Sequence, residues 1–325
     1  MSDDLEIAME ALKHYAIQVD SVDLIGQSAN FVFKVADIKQ NRYSLRFHKS
    51  KSETLETIWT HPEVINSEMV WLQALAKETV LTVPTPYKNR MGEFVTDVRG
   101  VKCTLIGWVE GEQKPFIPTA DDAGRVGQMI GELHKQASSW IPPEHFSRPA
   151  FDGSRILQSL NKIKGLSESG GLDKEIAEML IMAGQRSINM MHTIEKTPNN
   201  WGIIHADLIP SNFVFYDQQS RPIDFGACGF GYYLFDLGWT FSYIHPAFRN
   251  KLLEAYSASF KLPDNHVELL EGFFVAAQLE TMNFWLGLPD ALEWLPGHMD
   301  KLAGREFKHY VNQESFLFTG TPYWE

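Results

Sequence analysis

Hydrophobic periodicity changes character once along this chain, and that change confines it to a mixed architecture. Up to about residue 106 the segments VDLIG, NFVFKVAD and NRYSLRFH are short, rich in β-branched and aromatic residues and separated by polar turns, the pattern of an antiparallel meander. One helix interrupts them, with Ile65, Met69, Leu72 and Ala76 at i, i+4, i+7 and i+11. TVLTVPTPYKNRMGEF, carrying Pro84, Pro86 and Gly92, reads as a loop entering a hairpin, and KCTLIGWVEGE as a last strand stopping at Gly107 to Gly111. Helical spacing takes over beyond it. Thr119 and Asp122 have the form of a capping box before a stripe of Val126, Met129, Ile130, Leu133 and Ala137, which Pro142 and Pro143 end. GLSESGGLDKE reads as a polar connector, and Ile176, Met179, Leu180, Ala183, Ile188 and Met191 mark a second long helix. The expectation is an α+β, bilobal chain: a small antiparallel β-rich lobe over 1–106 and a larger, mainly helical lobe over 107–325, with a ligand crevice between them.

At 325 residues and 44% hydrophobic content the chain can fill a sizeable core. Its net charge of -12 lacks the basic stripe that releases counterions from a nucleic acid backbone, so no nucleic acid partner is expected. Cys103 and Cys228 are too few for a disulfide framework and read as small buried hydrophobes in a reducing compartment. MSDDLEIAMEALKHY is acidic and places Leu5, Ala8, Met9, Leu12 and Tyr15 at helical spacing, unlike a targeting peptide. No apolar run approaches the roughly 18 residues that span a bilayer. A cytoplasmic protein with no membrane partner is expected, and the oligomeric state is not legible.

The chemistry lies in HADLIPSNFVFYDQQSRPIDFG, His205 to Gly226. FVFY leaves as a strand, DQQS turns and RPI returns, so a hairpin carries the chain back from Asn212 toward Asp224. Phosphoryl transfer needs a carboxylate to orient a nucleophilic hydroxyl and oxygen ligands to hold magnesium against phosphates. Asp207 suits the first task, and Asn212 with Asp224 the second. Each residue alone reads more simply as a turn cap or surface group; their conjunction carries the argument.

HADLIPSN followed by IDFG resembles the catalytic loop and metal-binding segment of the aminoglycoside phosphotransferase and choline kinase superfamily, relatives of the protein kinases. GQSANFVFKV resembles that superfamily's nucleotide-covering loop, YSLRFH its phosphate-binding strand, SEMVWLQAL the helix with the acidic partner, and IGWVEGE its hinge. GELHKQAS resembles the helix after the hinge, and GFGYYLFDLGWT the segment downstream of the metal aspartate. The bacterial branch of stress-response Ser/Thr kinases and type II homoserine kinases is the most similar subgroup.

The resemblance implies a protein-kinase-like fold, ATP and Mg2+ as cofactors, and further roles. Gly26 and Ser28 would approach phosphate. Arg46, set opposite Leu45 and Phe47 by strand alternation, would grip phosphate with Glu68 as its partner. Ile106 would line the adenine pocket, with backbone bonds from Gly107 and Val109. His205 would brace the catalytic loop and Asp236 would accept its backbone amides. Trp201, Trp239, Tyr232 and Phe235 read as core, and Glu280, Asp290 and Glu293 as acids that could meet a cationic acceptor. Two positions depart from the pattern: Gly226 and Ala227 follow Phe225 where relatives carry a second acid, and Ala206 stands where glycine is usual. The expected activity is transfer of the ATP γ-phosphate to a small-molecule hydroxyl on an aminoglycoside, amino alcohol or homoserine-like acceptor. The alternatives are a protein Ser/Thr kinase of the stress-response type and a catalytically silent, nucleotide-binding pseudokinase.

Overall fold

A computed structural model describes residues 3–27, 31–49 and 57–319. The chain divides into two compact units. The first comprises the residues up to Gly111 together with Ile141–Arg148 and Ile223–Gly226, and the second holds Glu112–Trp140, Pro149–Pro222 and the chain from Ala227 onward. The first unit therefore runs past residue 106 to Gly111 and also takes in Asp224.

In the first unit α1 (Asp3–Leu12) precedes β1 (Val19–Gln27), β2 (Phe31–Asp37) and β3 (Arg42–His48). After them come α2 (Pro62–Glu78), β4 (Pro86–Tyr87), β5 (Thr96–Val98) and β6 (Val101–Gly107). The sheet order is β1-β2-β3-β6-β4 with β5 on β6, every pair antiparallel. Alternation along β3 sends Leu45 and Phe47 into a core with Phe33, Val35, Cys103 and Leu105. Against that core α1 packs Ile7, Ala8, Ala11 and Leu12, while Met9 is exposed. On α2 Leu75 is buried and Ala76 exposed, a shift of one position in the expected stripe. β4 was hidden from the sequence because Pro86 lacks a ladder donor, which confines it to a sheet edge.

His48 sits inside this unit, its Nε2 2.9 Å from Thr104 Oγ1. Burial, then the charges of Arg46 and Arg148, hold its imidazole well below the usual 6.5. The folded chain therefore keeps it neutral, while the unfolded chain takes up a proton below pH 6.5, so stability falls as pH drops. Relative to His48→Gln, the wild type should lose unfolding free energy as pH falls from 7 to 5.5 in urea titrations.

The second unit contains α3 (Ala120–Ser139), β7 (Ala150–Phe151), α4 (Gly153–Glu168), α5 (Lys174–Thr193), β8 (Trp201–Ile204), β9 (Phe213–Tyr216) and β10 (Gln219–Pro222). It continues with β11 (Gly229–Tyr232), α6 (Tyr233–Thr240), α7 (Pro246–Ser259), α8 (His266–Trp285), α9 (Leu295–Gly304) and α10 (Glu306–Asn312). Thr119 caps α3, its Oγ1 accepting from the Asp122 amide at 3.1 Å. Gly127 and Gly131 let α3 approach α7 closely: a Cβ at Gly127 would lie 2.1 Å from the Leu252 carbonyl oxygen. α4 replaces part of the expected connector, which shrinks to the residues between Glu168 and Lys174. β9 and β10 form the expected hairpin, with Phe213 opposite Pro222. Among the described residues no helix is long and apolar enough to cross a membrane.

Candidate active site

β8 ends at Ile204, and the chain turns through His205, Ala206 and Asp207 into a short 3-10 turn, Pro210–Asn212. A buried carboxylate holds that turn. Asp236 accepts the His205 amide on Oδ2 at 3.0 Å and the Ala206 amide on Oδ1 at 2.7 Å. His134 of α3 places Nε2 3.1 Å from Asp236 Oδ2 and Nδ1 2.9 Å from the Tyr256 hydroxyl. A carboxylate accepts, so Nε2 is the nitrogen that donates to Asp236. The Tyr256 phenol is pushed well up by burial, followed by the charges of Tyr233 and Asp236, so it remains a donor.

The Asp207 carboxylate is held at both oxygens. Oδ1 accepts from the Trp239 indole at 3.1 Å, and Oδ2 from Asn212 Nδ2 at 2.6 Å. The same Nδ2 donates to the Asp207 carbonyl at 2.9 Å, which orients the Asn212 amide oxygen the other way.

Ala206 adopts φ +65, the left-handed region where a Cβ costs roughly 1–2 kcal/mol. The departure from glycine is therefore strained. Ala206→Gly should raise unfolding stability by about 1 kcal/mol in chemical denaturation.

A second group forms within the first unit. Arg46 is buried and pairs with the buried Glu68 of α2. Its Nη1 also lies 3.3 Å from Asp224 Oδ1, so three expected site residues meet there. The Asp224 backbone is left-handed at φ +54, which Asp tolerates better than most residues. Arg148 donates to the Val64 carbonyl of α2 at 3.0 Å and to the Gly226 carbonyl at 2.6 Å, tying the helix to the segment after Asp224. Ile106 is buried, the Gly107 amide donates to the Thr85 carbonyl at 2.8 Å, and Val109 is half-buried. Gly26 faces Val32 just past an irregularity in the β1–β2 register. Ser28 lies outside the described residues.

A 310 Å³ cavity borders the catalytic loop, lined by Gln113, Lys114, Pro115, Ile209, Pro210, Ser211 and Tyr243. Tyr243 packs edge-on against Trp239 with centroids 5.6 Å apart. Its phenol is pushed up to about 12 by burial and then by the Asp207 charge.

Three functional positions escaped the sequence reading. Trp239 reads as core yet donates to Asp207; its signal was the i, i+3 spacing from Asp236, which places both on one face of α6. His134 and Arg148 had no comparable local signature. Glu280, by contrast, is claimed by Arg155 at 2.6 Å and is neutralised there, while Asp290 and Glu293 are exposed.

A profile of the phosphotransferase enzyme family matches residues 23–269. The chain belongs to that family. This phosphotransferase is an enzyme of the kinase type with the α+β, kinase-like fold. It is 25% identical over 248 residues to the homoserine kinase of Zymomonas mobilis, covering 71% of this chain and 74% of that one. A solved microcompartment-associated aminopropanol kinase superposes with a TM-score of 0.78 at 22% identity, over 97% of this chain and all of the other. The amicoumacin kinase hAmiN, solved with AMP-PNP, Ca2+ and Ami, gives 0.75 at 16% identity over 99% and 96%. In this phosphotransferase the residues after Asp224 pass through Phe225–Ala227 directly into β11.

Proposed function

We propose that this phosphotransferase uses ATP and Mg2+ in the cytoplasm to phosphorylate a hydroxyl of a small molecule: an aminoglycoside, an amino alcohol or a homoserine-like acceptor. The observation that carries the reading is the Asp207 carboxylate, fixed at both oxygens on a loop whose backbone is gripped by Asp236. Asp207 accepts the proton of the acceptor hydroxyl. The acceptor oxygen forms a bond to the γ-phosphorus, the bond from that phosphorus to the β,γ-bridging oxygen breaks, and its electron pair leaves on ADP. Arg46, charged and aligned by Glu68, neutralises phosphate oxygens, and Gly26 with Ser28 admits them to the backbone of the first loop. Ile106, Gly107 and Val109 receive the adenine, while His205 and Asp236 support the catalytic loop.

The donor set suits magnesium. Asn212 would offer an amide oxygen and Asp224 a carboxylate, hard oxygen ligands of the kind that hold this ion together with substrate phosphates and water. Among the described residues no cluster of three or more His, Cys, Asp or Glu could hold a metal alone, consistent with an ion shared with nucleotide. When bound it supplies charge neutralisation for the phosphates. The acceptor enters the 310 Å³ cavity beside Ile209 and Ser211, where the neutral Tyr243 hydroxyl is presented and the Lys114 ammonium is paired with Asp122 at 3.0 Å.

Thermal shift with Mg·ATP, followed by ADP-release assays over hydroxylated metabolites, amino alcohols and aminoglycosides, tests the reading. Stabilisation by nucleotide with turnover on one acceptor class supports it. Stabilisation without turnover on any acceptor would favour the silent module.

A further inference from the structure

We propose that Trp239 is a positioning residue for phosphoryl transfer, its buried indole N–H setting the rotamer of the Asp207 carboxylate; this rests on reading Asp207 as the proton acceptor. α6 presents Asp236, Trp239 and Thr240 at i, i+3 and i+4, and each grips the catalytic loop at a different point. Asp236 takes the amides of His205 and Ala206. Trp239 Nε1 donates to Asp207 Oδ1 at 3.1 Å, and Thr240 Oγ1 donates to the Leu208 carbonyl at 2.8 Å. One rigid turn of helix thus fixes both the backbone of the loop and its working side chain.

An aspartate side chain has two soft torsions, and the ionised group offers about four lone-pair sites. Asn212 engages Oδ2, but its amide oxygen is assigned to the metal, so it is shared between two tasks. Trp239 has only the one. Its ring is 6% exposed and wedged edge-on against Tyr243 at an interplanar angle of 87°, and a buried indole N–H requires an acceptor. A purely apolar packing role would be met equally well by Phe. With Oδ1 held by Trp239 and Oδ2 by Asn212, the plane of the carboxylate is set by the protein, and the acceptor hydroxyl meets a pre-aimed base.

The first test reads the contact without turnover. In the 15N-indole NMR spectrum of the whole chain, the Trp239 resonance, identified by its loss in Trp239→Phe, should move upfield in Asp207→Asn, where a neutral amide replaces the carboxylate that accepts its N–H. Kinetics follow, with Mg·ATP and the acceptor found by the screen, or with water as acceptor. Trp239→Phe should lower kcat roughly tenfold, the worth of one hydrogen bond to a charged group, and leave KM for ATP unchanged. Trp239→His, which restores a ring donor, should recover part of kcat. An indole resonance indifferent to Asp207→Asn would overturn the proposal. So would a Trp239→Phe enzyme with wild-type kcat while Asp207→Ala is inactive, a result that leaves the reading of Asp207 standing. Turnover retained in Asp207→Ala would overturn both.

Discussion

Replacing Asp207 with Ala should lower turnover by roughly 10³-fold, the contribution expected of a positioned proton acceptor, while the dissociation constant for ATP stays at its wild-type value. The separation follows from where Asp207 is held. Its carboxylate accepts from Trp239 and Asn212, and none of the nucleotide roles proposed for Arg46, Glu68, Ile106, Gly107 or Val109 depends on that carboxylate. The loop backbone should survive the change, because its anchors are the two Asp236 hydrogen bonds and not the Asp207 side chain. Steady-state kinetics beside calorimetric ATP binding checks this. A fall in kcat matched by an equal loss of ATP affinity would assign Asp207 to nucleotide binding.

The second large effect is expected at Glu68. Arg46 and Glu68 are 4% and 1% exposed at their side chains, whereas Asp224, a second carboxylate beside Arg46, is 51% exposed. Glu68→Gln therefore removes the buried counter-charge of a buried guanidinium, and the unfolding free energy should fall by about 3 kcal/mol. Urea denaturation measures this directly. Arg46→Met combined with Glu68→Leu should restore much of that stability, since it removes both charges instead of one, yet leave an enzyme with a sharply raised KM for ATP. If the double variant bound ATP normally, Arg46 would have no phosphate role.

Much of the fold was legible because it depends on periodicity. Leu45, Arg46 and Phe47 alternate, and the structure buries the two apolar residues in the sheet core while Arg46 goes to Glu68. Val126, Met129, Ile130 and Leu133 repeat at helical spacing and are all buried on α3. What failed was governed by contacts distant in sequence. α4 was not anticipated at all: its last turn, with Gly165, Ser167 and Glu168, resembles a connector, while the Asp152 cap and the packing of Ile156, Leu160 and Ile163 hold it helical. The close crossing of α3 and α7 rests on Gly127 and Gly131 meeting the Leu252 and Tyr256 carbonyls, which no local pattern announces.

In the candidate site the sequence pointed to residues by their chemistry, and the structure adds their neighbours. Asp207 and Asn212 meet through Nδ2, and Arg46, Glu68 and Asp224 form a second group. Trp239 passed as core because a tryptophan in an apolar helix is usually core; the burial was anticipated but not the direction of its N–H. Arg148 ties two segments far apart in the chain, Val64 and Gly226, and became visible only when both were in place. The strain at Ala206 belongs to the same class, since a left-handed φ is set by the turn into the loop and not by the residue that occupies it.

The central claim is that a phosphoryl group passes from ATP to a carbon-bound hydroxyl. Phosphorus NMR of the wild-type enzyme incubated with Mg·ATP and the acceptor identified by ADP release tests it most directly. The expected spectrum shows a phosphomonoester on the acceptor growing in equal amount with ADP, and neither signal growing with Asp207→Ala. Release of AMP and pyrophosphate, or a phosphoramidate on an acceptor nitrogen, would contradict it.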